Sequence, residues 1–109
     1  MVDAIAIWLL AAAFFGAGVF NAIGPTATRA DFARWGYPRW WNSLTGGLEM
    51  LSAVLIALPA SRIAGLTLGA LIIAAAVLTL LRHREFSHLV PLGVFAALIA
   101  FVASTSLPG

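Results

Sequence analysis

Three stretches of this chain run for 19 or 20 residues without a single ionisable side chain: Ala4 to Ile23, Ile63 to Leu81 and Leu89 to Leu107. A helix needs about 20 apolar residues to cross the hydrocarbon core of a bilayer, so each stretch predicts one span. Composition agrees with the pattern. Hydrophobic residues make up 62% of the chain and charged residues 9%, against roughly 45 to 50% and about 25% in soluble domains. A chain this small leaves much of its surface exposed even when folded. The lipid bilayer is therefore its expected surroundings.

A fourth stretch, Ser43 to Leu58, is shorter and carries one acid, Glu49, about half-way along. Trp40 and Trp41 anchor its start at the membrane interface and Pro59 ends it. Short connections join this stretch to the next (Pro59 to Arg62) and the third to the last (Arg82 to His88), which makes consecutive spans antiparallel neighbours. The expectation is an all-α, up-down transmembrane four-helix bundle. It forms one domain over residues 1–109, with helices at about 4–23, 43–58, 63–81 and 89–107. The first span is read as a retained helix, because Asp3 stands where a secretory signal carries positive charge. Gly24-Pro25 stops it.

The connection 24–42 alternates Arg29, Asp31 and Arg34 with Phe32, Trp35, Tyr37, Trp40 and Trp41. Amphipathic rings interleaved with charges belong at the headgroup level, and a short helix is expected from about Thr28 to Trp35. With four spans, Arg29, Arg34, Arg39, Arg82 and Arg84 share one face of the membrane and Arg62 stands alone on the other. The positive-inside rule places both termini of this multi-pass protein on the non-cytoplasmic side. The net charge of +2 comes from scattered arginines without lysine, which draws no nucleic-acid footprint. The absence of cysteine excludes thiolate and Cys-metal chemistry. His83, Glu85 and His88 lie in an interfacial loop that no other helix complements with ligands, so neither a metal nor another cofactor is expected. His83 is a candidate proton donor near the mouth of the bundle.

Glu49 is the residue to which chemistry points. Burying an acid at the centre of a membrane helix costs about 2.5 to 3.5 kcal/mol, and such residues face a bundle interior. Every arginine lies in a loop or at a helix end, so the expected form is a neutral carboxylic acid, able to donate a proton or a hydrogen bond. Residues three and four apart share a helix face, which joins Asn42, Thr45, Gly46, Glu49, Ser52 and Ala53 in one inward stripe. Asn21 on the first span and Thr79 on the third are the groups that could satisfy Glu49. Trp35 and Trp41 are read first as interface anchors and second as walls at the mouth of a pocket. The expected ligand-binding set is therefore Asn21, Asn42, Thr45, Ser52, Thr79, Trp35 and Trp41, with Glu49 as the reactive group. Gly65 with Gly69, and Ala70 with Ala74, offer small faces for close helix approach. Phe14, Phe15 and Phe20 are expected to be ordinary packing residues.

The stretch Phe32-Ala33-Arg34-Trp35-Gly36-Tyr37-Pro38, followed by Thr45-Gly46-Gly47-Leu48-Glu49, resembles the DoxX-like family of small four-helix membrane proteins. The turn from Pro59 to Arg62 and Pro91 before the last helix extend the likeness over nearly the whole chain. The resemblance implies a four-helix bundle and, through the family's namesake, a subunit of a quinol oxidase or thiosulfate:quinone oxidoreductase. Two positions depart from the family pattern. A lysine common late in the first helix is Asn21 here, and a Thr-His pair late in the third is Thr79-Leu80. Two functions follow. One is a binding module that holds a lipophilic small molecule such as a quinone near Glu49 and serves a separate redox partner protein, alone or as a homo-oligomer. The other is a membrane-embedded isomerase, cyclase or hydrolase with Glu49 as general acid or base.

Overall fold

The computed structural model describes residues 2–106, and every regular element among them is helical. Helix α1 spans Val2–Ile23. It ends where Gly24 takes a positive φ of 66°, with its N–H bonded back to the Phe20 carbonyl. Glycine accepts this left-handed turn without the clash that a Cβ brings. Pro25 follows as the N-cap of α2, Thr26–Arg34, which starts two residues before the expected Thr28, the Pro25 carbonyl accepting the Arg29 N–H at 3.0 Å. Gly36, with φ 87°, turns the chain away from α2.

Helix α3 covers Trp41–Ala57, α4 covers Arg62–Arg82 and α5 covers Leu89–Ser106; the expected helix end at position 107 lies outside the described residues. Single 3₁₀ turns, Pro59–Ser61 and Phe86–His88, make the two short connections. Arg62 folds back across the first of them. Its Nε donates to the Ile56 carbonyl at 2.8 Å and an Nη to that of Ala57 at 3.4 Å, capping carbonyls that the end of α3 leaves without partners.

Helix α1 packs on α3, α3 on α4, α4 on α5, and α5 returns to α1. Leu10, Phe14, Ile56 and Val102 are wholly buried where these faces meet, and Phe14 meets Phe95 edge-on with centroids 5.0 Å apart. The tightest crossing is between α1 and α3, where Gly18 faces Gly46. A Cβ on Gly46 would lie 2.6 Å from the Ala22 amide nitrogen, so only glycine permits this approach. Gly65 sits against Ile56 of α3 and Gly69 against the Phe14 ring, as small residues at a helix crossing should. Ala70 and Ala74, expected to join them, are exposed instead; their side of α4 turns away from every neighbouring helix. Phe15, Phe20 and Trp8 also point outward, together with Leu71, Leu78, Val90 and Val94.

Three segments, Ala4–Ile23, Pro59–Arg82 and Phe86–Thr105, are helical, long and apolar enough to cross a membrane. Helix α3, with 17 residues, is about 26 Å long at 1.5 Å per residue, shorter than a hydrocarbon core of about 30 Å.

Candidate functional site

The inward stripe of α3 forms as its spacing predicts: Asn42, Gly46, Glu49, Ser52 and Ala53 are buried, and Thr45 is half-buried. Glu49 is 6% exposed. Its Oε1 accepts a hydrogen bond from Asn21 Nδ2 of α1 at 2.5 Å. The closeness of antiparallel α1 and α3 at the Gly18 and Gly46 crossing makes this contact possible, since Asn21 and Glu49, three residues after those glycines, both fall within it. Of the two candidates for satisfying the acid, Asn21 is therefore the one that does so. Thr79 bonds elsewhere: its hydroxyl donates to the Ala75 carbonyl at 2.9 Å and lies 2.5 Å from the Tyr37 hydroxyl.

A cavity of about 340 Å³ opens beside the acid, within the range of small-molecule sites, which starts at roughly 300 Å³. Asn21, Thr45, Glu49 and Thr79 line it together with the apolar side chains of Leu48, Ile72 and Leu92. Phe32, Trp35, Tyr37 and Trp41 close the end toward the loops. Two members of the expected ligand-binding set are not on this wall. Asn42 donates to the Asn21 main-chain carbonyl at 2.9 Å, and Ser52 donates to the Leu48 carbonyl at 3.0 Å. Both lie on the same face of α3 but point at backbone acceptors, so they fix helices rather than line the cavity.

Sequence reading missed how the mouth is built. Tyr37 stacks on Trp41, with ring planes 8° apart and centroids at 5.1 Å, and its hydroxyl reaches α4 at Thr79. Glu85, read as a solvated loop residue, instead accepts from Trp35 Nε1 and from Arg34 Nη2, each at 2.5 Å. These bonds lower the Glu85 carboxyl below the usual carboxylate range, the Trp35 indole N–H foremost and the Arg34 guanidinium adding to it, against an opposing partial desolvation. The same contact raises the Arg34 pKa further. The one available signal was that Arg34 and Glu85 carry opposite charges on loops assigned to the same face. The structure joins those loops.

His88 lines the cavity and brings Nε2 to 3.9 Å from Glu85 Oε1, whereas His83 Nδ1 lies 2.9 Å from the Thr79 carbonyl. Trp35 and Trp41 are walls of the mouth, and Trp40 alone of the three loop tryptophans is largely exposed, at 60%. Among the described residues no group of three potential metal ligands comes together. The site thus consists of one buried acid held by an amide, hydroxyls at Thr45, Tyr37 and Thr79, and an aromatic cover tied down by Glu85. Residues 5–102 match the sequence profile of the DoxX-like family, while no curated protein and no solved structure matches the chain.

Proposed function

The chain belongs to the DoxX-like family, and on that footing we propose that it is a four-span membrane protein whose cavity around Glu49 binds a lipophilic small molecule for a separate catalytic partner. Connectivity supports a fourth span. The bond between Arg34 and Glu85 puts the loop before α3 beside the loop after α4, while the turn Pro59–Ser61 joins the far ends of α3 and α4. If α4 crosses the bilayer, α3 must cross it too, and Trp40, Trp41 and local thinning accommodate its shorter length. The five arginines at the Arg34 end support, by the positive-inside rule, a cytoplasmic position for that end and non-cytoplasmic termini. A reporter fused to the C-terminus should be inactive in the cytoplasm, and a cytoplasmic signal would reverse this orientation.

The observation that supports binding is a buried acid on the wall of a preformed cavity, with no arginine beside it among the described residues. A group that is costly to keep in a membrane marks a site by default. The family resemblance offers a quinone as one candidate ligand. Binding is preferred to catalysis because Glu49 is the one carboxylate among the described residues of the wall, and the imidazole there, His88, sits beside Glu85 rather than paired with a wall hydroxyl. Organic extraction of wild type and Glu49→Gln, purified in a mild detergent, should release a lipophilic compound that is enriched in the wild type and depleted in the variant. Identical extracts would remove the ligand site. Turnover of such a compound by the isolated chain, lost in Glu49→Gln, would favour the enzyme instead.

A further inference from the structure

Hydrogen-bond accounting at the cavity wall reveals an imbalance between donors and acceptors. The Thr79 hydroxyl gives its proton to the Ala75 carbonyl, so in its contact with Tyr37 it must accept, and the Tyr37 hydroxyl is the donor. That leaves the Tyr37 oxygen with acceptor capacity only. The indole N–H of Trp35 points at Glu85 and so does Arg34. One amide N–H of Asn21 points at Glu49 Oε1. The groups with the greatest power to donate are therefore occupied within the protein.

Acceptors remain. No protein donor reaches Glu49 Oε2 among the described residues, yet no buried side-chain polar atom there is left enclosed without a partner. Oε2 therefore reaches open space, and the space beside Glu49 is the cavity. Among the described residues the donors left on the wall are the Thr45 hydroxyl, the Trp41 indole N–H, the second Asn21 N–H, the His88 ring and, while Glu49 is protonated, its own O–H; no arginine is among them. The histidine on the wall, His88, sits beside Glu85 rather than Glu49. An acid in an apolar chamber, with no arginine beside it among the described residues, is best matched by a ligand that brings a cation. Aromatic rings around the mouth suit the same charge, because ring faces attract ammonium groups.

We infer that the Glu49 cavity takes a lipophilic amine, its protonated nitrogen placed against Glu49 Oε2 and its apolar body between Leu48, Ile72 and the Tyr37 and Trp41 rings. A neutral amine that takes the proton from a carboxylic acid and an ammonium that meets a carboxylate reach the same ion pair. The inference rests on the proposed binding role and narrows its ligand class to a base: a carbonyl acceptor such as a quinone can take a neutral hydrogen bond from the protonated acid, whereas an amine takes its proton and leaves an ion pair.

Three probes with one bicyclic body separate the possibilities: naphthylmethylamine, naphthylmethanol and naphthoquinone. Binding to the full chain in a non-ionic detergent is read by calorimetry, with Glu49→Gln and, as a milder change, Thr45→Val. The amine should bind the wild type about tenfold or more tightly than the alcohol, the advantage of a charge-assisted over a neutral hydrogen bond. That margin should vanish in Glu49→Gln and persist in Thr45→Val. Equal or tighter binding of the quinone or the alcohol, weakened by Glu49→Gln, would overturn the amine class and leave the cavity as a binding site. If all three probes bind wild type and Glu49→Gln alike, both the class and the site fall. Should Glu49→Gln fail to fold, wild type alone still decides, because an amine that binds no better than its alcohol overturns the inference.

Discussion

Replacing Gly46 by alanine tests the physical basis of the site, which is the close approach of α1 and α3. The added methyl carbon would lie 2.5 Å from the Gly18 carbonyl oxygen, 2.6 Å from the Ala22 amide nitrogen and 2.9 Å from the Ala22 Cβ. Two of those atoms are backbone, so no side chain can swing aside, and the helices must separate by several tenths of an ångström or more. Overpacking of this kind costs about 1 to 3 kcal/mol. The Asn21 bond to Glu49 spans the same crossing. Stretching it by a similar amount sacrifices about 0.5 to 1.5 kcal/mol of hydrogen bonding. The neighbouring position supplies the control, since a Cβ on Gly47 would meet nothing within 4 Å. Both changes gain the same helix propensity, up to about 1 kcal/mol, which cancels in the comparison. Gly46→Ala should thus be less stable than Gly47→Ala by roughly 2 to 4 kcal/mol. The measurement is denaturation from a mild-detergent micelle into a denaturing one, followed by tryptophan fluorescence. Equal midpoints for the two variants would refute the crossing, and with it the reason Asn21 reaches Glu49.

Phe14→Ala removes a wholly buried ring that fills the space against Gly69 and Phe95; the cavity left behind should lower stability by about 3 to 5 kcal/mol in the same assay, and an unchanged midpoint would deny that the ring is central. Arg62→Met keeps the aliphatic stem but removes the donors to Ile56 and Ala57, so a loss near 1 kcal/mol is expected, together with faster amide exchange in the last turn of α3. Glu85 makes docking of the loop dependent on pH. Its carboxyl is lowered in the folded protein, so the stabilisation is present above the ordinary carboxylate pKa of about 4.3 and is lost as pH falls through the lower folded value. Acidification below about pH 4 should therefore change the emission of Trp35, and Glu85→Gln should show the acid-state spectrum already at neutral pH. A spectrum that does not respond in either case would mean that the indole is not held by Glu85.

The helices were legible because their signal is coarse. Long uncharged runs bounded by prolines, glycines and arginines fix both length and order, and boundaries moved by only a few residues. The α3 stripe was legible because helical periodicity alone sets which residues share a face. What periodicity does not fix is where each polar group on that face finds its partner. Asn42 and Ser52 share the stripe with Glu49, yet each bonds a backbone carbonyl, an outcome decided by side-chain length and local geometry. Ala70 and Ala74 have the spacing of a packing motif on a side of α4 that meets no helix. Spacing alone cannot say which side of a span is lined by protein. The mouth was least legible, because Trp35, Tyr37, Thr79 and Glu85 are separated by more than 40 residues across their contacts. Such pairs come together only once the order of helices around the core is known.

The separation of these two layers has a physical consequence for how the site works. Glu49 and Asn21 sit on α1 and α3, whose crossing is fixed by glycines and cannot open without disturbing the core. Of the aromatic cover, Phe32 stands on the nine-residue α2, which has no buried residue, Trp35 and Tyr37 follow it in the loop and Trp41 opens α3; the loop part is held to the bundle by side-chain bonds to Glu85 and Thr79. Few buried contacts and a small number of polar ties mark the part of a structure that opens first. On the proposed binding role, a ligand would come and go by release of the cover, without separating the helices that hold the acid. Changes at Glu85 should then act mainly on the rates of exchange, because they alter the barrier in both directions. Changes at Glu49 should act on affinity, because the proposed bound state gains its charge-assisted contact there and the free state lacks it.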